Sequence, residues 1–399
     1  MLEVDNKEFH LGLIEAATVS TRIKGMTHDF YRYPARFSPI FINKVIEYFT
    51  EPGDLIIDPF LGGGTTAVEA RILGRRSIGI DINSLSTFVS RVKTTPLSNS
   101  DINLLRSWVE ALPEVINLNN RANYGSEWKE YFRNIDTKKA WPIKKAIQLA
   151  LDRLEHLSPK QQKFIRCGLL RTSQWAFESR KSIPSIGQFR NQLQVDFNAM
   201  LEGIQNYSRA VRISDSKWDA NFLPRTKILN RSAIGIENDS NVMKFGPPKL
   251  VLTSPPYPGV HVIYHRWQVN GRRETPAPYW ITNTLDGSGE SYYTFGSRRE
   301  SKLTNYFTNM YKSFKSIADI SDSATTLVQM IAFSEPEWQL PLYLETLNDA
   351  GYTENIYSQF SNSSDGRLWR QVPNRKWHAI HKGNTPSSKE VVLFHNKTF

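Results

Sequence analysis

The chain has 399 residues and one cysteine, Cys167. A single thiol excludes an internal disulfide and any cysteine-based zinc cluster. No run of about 18 apolar residues occurs, so a membrane-spanning helix is not expected. The first residues, MLEVDNKEFH, lack the basic-then-apolar layout of a secretory leader. These absences fit a reducing cytoplasm. Internal repeats and low-complexity tracts are also missing. What remains is an ordinary globular composition, 40% hydrophobic and 22% charged.

Charge is not scarce, but it is uneven. The net charge is +11, which favours an anionic partner such as nucleic acid. Between Arg121 and Arg231 there are 21 Lys/Arg and 10 Asp/Glu, a surplus equal to that of the whole chain. A solvated helical surface would account for some of this. A block so lopsided beside a neutral remainder points further, to a polyanion.

Hydrophobic periodicity divides the chain into three parts: 1–95, 96–224 and 225–399. The first holds DLIIDPF and RRSIGIDIN, two strand patterns around the helical TTAVEARILG. The second reads as amphipathic helices without a convincing strand. The third supplies strand patterns at 225–230, 248–254, 324–333, 354–360 and 389–396. Seven strands with helices between most of them predict an α/β doubly wound, mostly parallel sheet carrying a helical insertion. The stretch GRLWRQVPNRKWHAIHKGNTPSS reads as a long loop.

DPFLGGGTT, Asp58 to Thr66, is a strand, a glycine turn and a helix start. Glycine permits the tight turn and close approach of a ligand, and the helix start offers free N–H groups. No Gly-Lys-Ser/Thr follows, so it is not a P-loop. The Gly-x-Gly-x-x-Gly spacing of a dinucleotide site is absent as well. Asp81 ends the next strand, where a carboxylate can grip ribose hydroxyls.

LTSPPYPGV, Leu252 to Val260, is a strand stopped by prolines at a polar, aromatic tip. Together, DPFLGGGTT and TSPPY resemble the two signature motifs of amino-methylating DNA methyltransferases. Phe60, Gly62 and Gly64 match F-x-G-x-G, and Ser254, Pro255, Pro256 and Tyr257 match the catalytic S/D/N-P-P-Y. HDFYRYPARFSP (28–39) resembles the segment that closes over the methionine end of the cofactor. The resemblance covers roughly residues 28–95 and 225–396. It implies a class I methyltransferase fold and S-adenosylmethionine as cofactor. The implied cofactor residues are Asp58, Pro59, Phe60, Gly62, Gly64, Thr65 and Asp81, with Tyr33, Pro34 and Phe37. It implies double-stranded DNA as partner, a restriction–modification or other DNA-modification setting, and a cognate endonuclease as a candidate partner. In a prokaryote that places the chain in the cytoplasm, at the nucleoid.

The chemistry is a direct displacement at a methyl group that is already electrophilic. The difficulty lies in the nucleophile, whose lone pair is delocalised into the base. Acceptors aimed at its N–H bonds stabilise the charge that develops on nitrogen. Ser254 offers a hydroxyl oxygen, Pro255 a carbonyl held by the prolines, and Tyr257 a ring for stacking on a flipped base. No metal is required. Ser at the first motif position favours N4-cytosine, with N6-adenine, a structured RNA, or a DNA-binding protein with a dead site as alternatives. C5-cytosine chemistry needs a thiolate, and Cys167 reads as a helix-core residue.

Residues 258–300 mix cations and aromatic rings, the combination that suits phosphates and unstacked bases. Arg266, Trp267, Arg272, Arg273 and Arg298 are the candidate nucleic-acid contacts. His261 and His265 lie four apart without a third ligand nearby, so they do not read as a metal site. RLWRQVPNRKWH (367–378) repeats the cation-and-aromatic theme, as a DNA-backbone contact or as surface decoration.

Overall fold

The fold was described from a computed structural model. It describes residues 6–19, 25–33, 37–180, 182–216, 225–259, 266–269, 271, 273–287, 293, 295–296, 300, 302–371 and 389–398. Two helices, α1 (Asn6–Thr18) and α2 (Pro39–Phe49), precede the sheet. Then come β1 (Leu55–Asp58), α3 (Thr65–Ile72), β2 (Arg76–Asp81) and α4 (Ser84–Thr94). The helical stretch holds α5 (Asn99–Glu110), α6 (Leu112–Val115), α7 (Trp141–Leu151), α8 (Pro159–Phe177) and α9 (Ile186–Asp215). After it follow β3 (Thr226–Asn230), α10 (Ser240–Met243) and β4 (Leu250–Thr253). A small hairpin, β5 (Trp267–Val269) and β6 (Arg273–Thr275), leads into α11 (Ala277–Thr282). The chain closes with α12 (Thr304–Asp319), β7 (Thr326–Ile331), α13 (Pro336–Asp349), β8 (Tyr352–Glu354), β9 (Leu368–Gln371) and β10 (Lys389–Lys397).

The main sheet runs β3-β2-β1-β4-β7-β10-β8, with β9 also paired to β10. The first five strands are parallel, and β10 is antiparallel to its three neighbours. This is the expected α/β, Rossmann-like architecture. The strand order reverses direction between β1 and β4, and ligands in open α/β sheets bind at that crevice, beyond the carboxyl ends of the strands.

Alternation along the strands fixes the two faces. Leu55, Ile57, Val251, Leu327, Ile331, Val391 and Leu393 pack with α12 and α13. Ile56, Leu250, Leu252, Val328, Met330, Val392 and Phe394 pack with α1 and α2. A third core belongs to the helical insertion, which leaves the sheet after α4 and returns into the edge strand β3. Its rings reach the hairpin region: Phe132 meets Trp280 edge-on, with ring centroids 5.0 Å apart, and Gln148 Oε1 accepts from Trp280 Nε1.

Two sequence expectations shift. The strand expected at 354–360 is the short β8, ending at Glu354, with a single helical turn at Ser358–Phe360. Ring packing of Tyr357 and Phe360 on Phe394 gives that apolar run a core role without a ladder. The stretch read as a loop after Gly366 begins as β9, paired to β10.

Candidate active site

β1 ends at Asp58, and the glycine loop begins there. Gly62 and Gly64 take the left-handed backbone, with φ of +50° and +74°. A Cβ on Gly64 would stand 2.4 Å from Ser90 Oγ, so glycine is required for contact as well as for backbone shape. Lys93, buried on α4, donates to the Gly63 carbonyl and holds the loop from behind. The Tyr33 ring lies across Gly62 and Gly63.

Asp81, at the end of β2, accepts from Gly62 N (2.8 Å) and Ser86 Oγ (2.7 Å) on one oxygen and from Asn83 N (2.8 Å) on the other. Three donors thus occupy a carboxylate with about four acceptor sites. Its visible role is to hold the glycine loop against β2, beyond the ribose role expected from sequence. Burial pushes its pKa up, against the lowering effect of those donors.

Asp58 is buried, and its Oδ1 accepts from Thr253 Oγ1 (2.7 Å) and Phe60 N (3.2 Å). Burial raises its pKa to about 6. Thr253 is the last residue of β4, so this bond ties the glycine loop to the proline tip. The tip is fixed again by Tyr306, which donates to the Pro256 carbonyl (2.6 Å), and by Ser334, which donates to the Pro258 carbonyl (3.2 Å).

One cleft gathers the two motifs. Asp58, Pro59, Phe60, Gly62, Thr65 and Asp81 line it from one side, with Tyr33 and Phe37. Ser254, Pro255, Pro256 and Tyr257 line the same cleft. Gly64 shapes the turn without lining it, and Pro34 lies outside the described residues. Asn83 and Arg231, neither of them singled out from sequence, also line the cleft, as does Tyr293 of the aromatic and basic stretch. Asn83 is buried, caps α4 through Leu85 N, and accepts from Tyr279 Oη (3.2 Å). Its Nδ2 has no partner among the described residues.

Beneath the tip lies a network that sequence reasoning missed. Tyr257 Oη donates to Glu390 Oε1 (2.7 Å) and lies 3.1 Å from Ser254 Oγ. Arg370 donates to Glu390 Oε2 (2.6 Å), both side chains being buried. Burial and the Glu390 charge push the Tyr257 pKa well above its ordinary value, so the phenol keeps its proton. A charged residue at an inward position of an apolar strand, as in KEVVLF, was the available signal.

The nucleic-acid candidates separate. Trp267 is 1% exposed, stacks on Phe177 and donates to Tyr31 Oη (3.0 Å). It is a core residue, because its ring fills the seam between α8 and the segment ahead of α2. Arg266 pairs with Asp286 (2.8 Å) and Glu274 (3.5 Å), so its charge is spent inside the fold. Tyr279 and Trp280 are buried too. Arg273 is exposed at the hairpin. Arg272, Arg298, His261 and His265 lie outside the described residues, as does 372–378 of the RLWRQVPNRKWH stretch.

Cys167 is buried, with its thiol pushed up to about 12 by burial, which suits packing and not a thiolate nucleophile. Among the described residues, no three His, Cys, Asp or Glu side chains gather as metal ligands. No described helix is long and apolar enough to cross a membrane.

The family-model likeness falls on the glycine-loop side of this cleft. A family model described as DNA methylase matches residues 15–86, from α1 through the glycine loop to Asp81 and α4. The similarity is to DNA methyltransferases. Type II methyltransferase M.MvaI of Kocuria varians is 26% identical over 280 residues, covering 63% of this chain and 56% of its own length. Type II methyltransferase M.BsoBI of Geobacillus stearothermophilus is 48% identical over 60 residues, 15% of this chain and 12% of its own. DNA adenine methyltransferase YhdJ of Escherichia coli (strain K12) is 33% identical over 63 residues, 16% of this chain and 21% of its own. The chain therefore spans little more than half of M.MvaI and smaller shares of the others. These likenesses are to DNA methyltransferases, enzymes whose methyl donor is S-adenosylmethionine. They leave cytosine and adenine unresolved.

The cleft's residues fit that donor. Its sulfonium and ammonium are cationic, and Asp58 and Asp81 face the cleft. Its adenine and ribose need polar partners and flat contacts, and the unpartnered Asn83 Nδ2 and the Tyr33 ring lie in the wall.

Proposed function

We propose that the protein methylates the exocyclic N4 amine of a cytosine flipped out of double-stranded DNA. The observation that carries this reading is the single cleft lined by both the glycine loop and Ser254–Tyr257. A cofactor seated on the loop then shares one space with the acceptors of the tip.

When bound, S-adenosylmethionine supplies an electrophilic methyl group on sulfonium. Asp58, Asp81, Asn83, Tyr33 and Phe37 would hold it, with the loop glycines allowing close approach. The chain's remaining task concerns the amine. Ser254 Oγ and the Pro255 carbonyl accept from its two N–H bonds, favouring a pyramidal nitrogen and stabilising its growing positive charge. Loss of one such preorganised contact costs about 10²–10³-fold in rate. The anchors at Pro256 and Pro258 keep these acceptors fixed before substrate arrives. Tyr257 stacks on the extruded base.

Ser254 as a neutral acceptor supports cytosine over adenine. Exposed cations of the insertion, such as Lys138 and Lys139, and Arg273 of the hairpin would contact phosphates. We place the chain in a restriction–modification or other DNA-modification system, acting on the nucleoid.

Transfer of label from methyl-labelled S-adenosylmethionine to unmethylated DNA tests the reading. Label in DNA, undiminished by competing tRNA, is expected. Label confined to tRNA would remove the substrate, and none in either would remove the enzyme.

A further inference from the structure

The buried pair under the tip does more than fill space. Glu390 and Arg370 are direct cross-strand neighbours on β10 and β9. Their side chains are 3% and 4% exposed. A buried guanidinium requires an ionic partner, so Glu390 is held as a carboxylate. A carboxylate only accepts hydrogen bonds. The 2.7 Å contact with Glu390 Oε1 therefore uses the one proton of Tyr257 Oη. Ser254 Oγ lies 3.1 Å from that same oxygen. Since Tyr257 has no second proton to give, the Ser254 hydroxyl must be the donor between them.

We infer that Glu390, held by Arg370, sets the direction of this chain, so that Ser254 donates to Tyr257 and presents only lone pairs to the substrate amine. Glu390 and Arg370 are thus positioning residues that act through Tyr257. They make Ser254 Oγ an obligate acceptor, which is what an N–H of an exocyclic amine requires. A serine without this bias could point its own proton at the amine and repel it. The two strands also hold the Tyr257 ring where the hydroxyl is anchored. This inference rests on the proposed methylation for its rate effect, but the hydrogen-bond order itself does not.

Two measurements test it, and they fail separately. The first does not depend on activity. 3-Fluorotyrosine incorporated at position 257 should show a shifted ¹⁹F resonance when Glu390→Gln is introduced. An unmoved resonance would break the proposed link, even if the protein proved to methylate nothing. The second is a double-mutant cycle on methyl transfer with Glu390→Gln and Tyr257→Phe. Each single variant should lose about tenfold or more in kcat, as for a misdirected preorganised contact, with cofactor affinity unchanged. Glu390→Gln should cost nothing further in the Tyr257→Phe background, because its messenger is gone. Losses that multiply would make Glu390 a structural residue only. A wild-type protein without methyl transfer would refute the function and leave the fluorine result to decide this inference.

Discussion

Asp58 Oδ1 accepts a hydrogen bond from Thr253 Oγ1 at 2.7 Å, joining the end of β1 to the end of β4 across the switch point of the sheet. The glycine loop and the proline tip are therefore tied to each other directly. Thr253→Val keeps the shape and removes the donor. It should destabilise the protein by about 1–3 kcal/mol, the usual result of leaving a buried acceptor short of a partner. Chemical denaturation measures this, and a variant as stable as wild type would show that the contact joins nothing.

The same carboxyl predicts a pH response. Burial raises the Asp58 pKa from 3.8 to about 6. A folded pKa above the unfolded one means the folded state binds the proton more tightly. The stabilising contribution is therefore full below 3.8 and is lost as pH rises through about 6. Cofactor affinity should run the other way. Protonation removes a negative charge from a cleft that receives a cation, so affinity should weaken as pH falls through about 6. Asp58→Asn should flatten both profiles. Calorimetric titration across this range checks it, and a variant that keeps the wild-type slope would assign the proton elsewhere.

Gly64→Ala tests the glycine loop. The position has φ +74°, and a Cβ would meet Ser90 Oγ at 2.4 Å. Left-handed backbone alone costs a non-glycine residue about 1–2 kcal/mol. Cofactor affinity and thermal stability should both fall. Ser90→Gly carries a helix penalty of about 0.5–1 kcal/mol by itself, so it should cost less in the Gly64→Ala background than in the wild type, the difference being the relieved contact. An equal cost in both backgrounds would mean that the contact contributes little.

Trp267 and Arg273 should now behave differently. Trp267→Ala should destabilise by about 3–5 kcal/mol, as for other buried aromatic truncations. Arg273→Ala should leave stability unchanged and lower the salt dependence of DNA binding by about one unit of slope. Thermal unfolding and binding at several salt concentrations separate the two. A stable Trp267→Ala protein with weakened DNA binding would return that ring to the DNA face.

The parts of this site legible in the sequence are those in which chemistry and chain order coincide. The glycine turn, Asp81 and the proline tip are each local, and strand periodicity places each at the end of a strand, whereas the adjacency of β2, β1 and β4 comes from the sheet order. The aromatic and basic stretch was ambiguous for a physical reason. Rings and cations suit phosphates and bases, but they also fill a seam and pair inside it, as Trp267 and Arg266 do. Glu390 and Arg370 were hidden because only the antiparallel register of β9 and β10 brings them side by side. Nothing in the spacing of either residue relates it to Tyr257.

The most direct measurement is nucleoside mass spectrometry of DNA from cells that express the wild-type chain or Ser254→Ala, in a host free of other modification. N4-methylcytosine in the wild-type DNA, strongly reduced with the variant, is the predicted result. N6-methyladenine in its place, or no methylated base at all, would contradict the account.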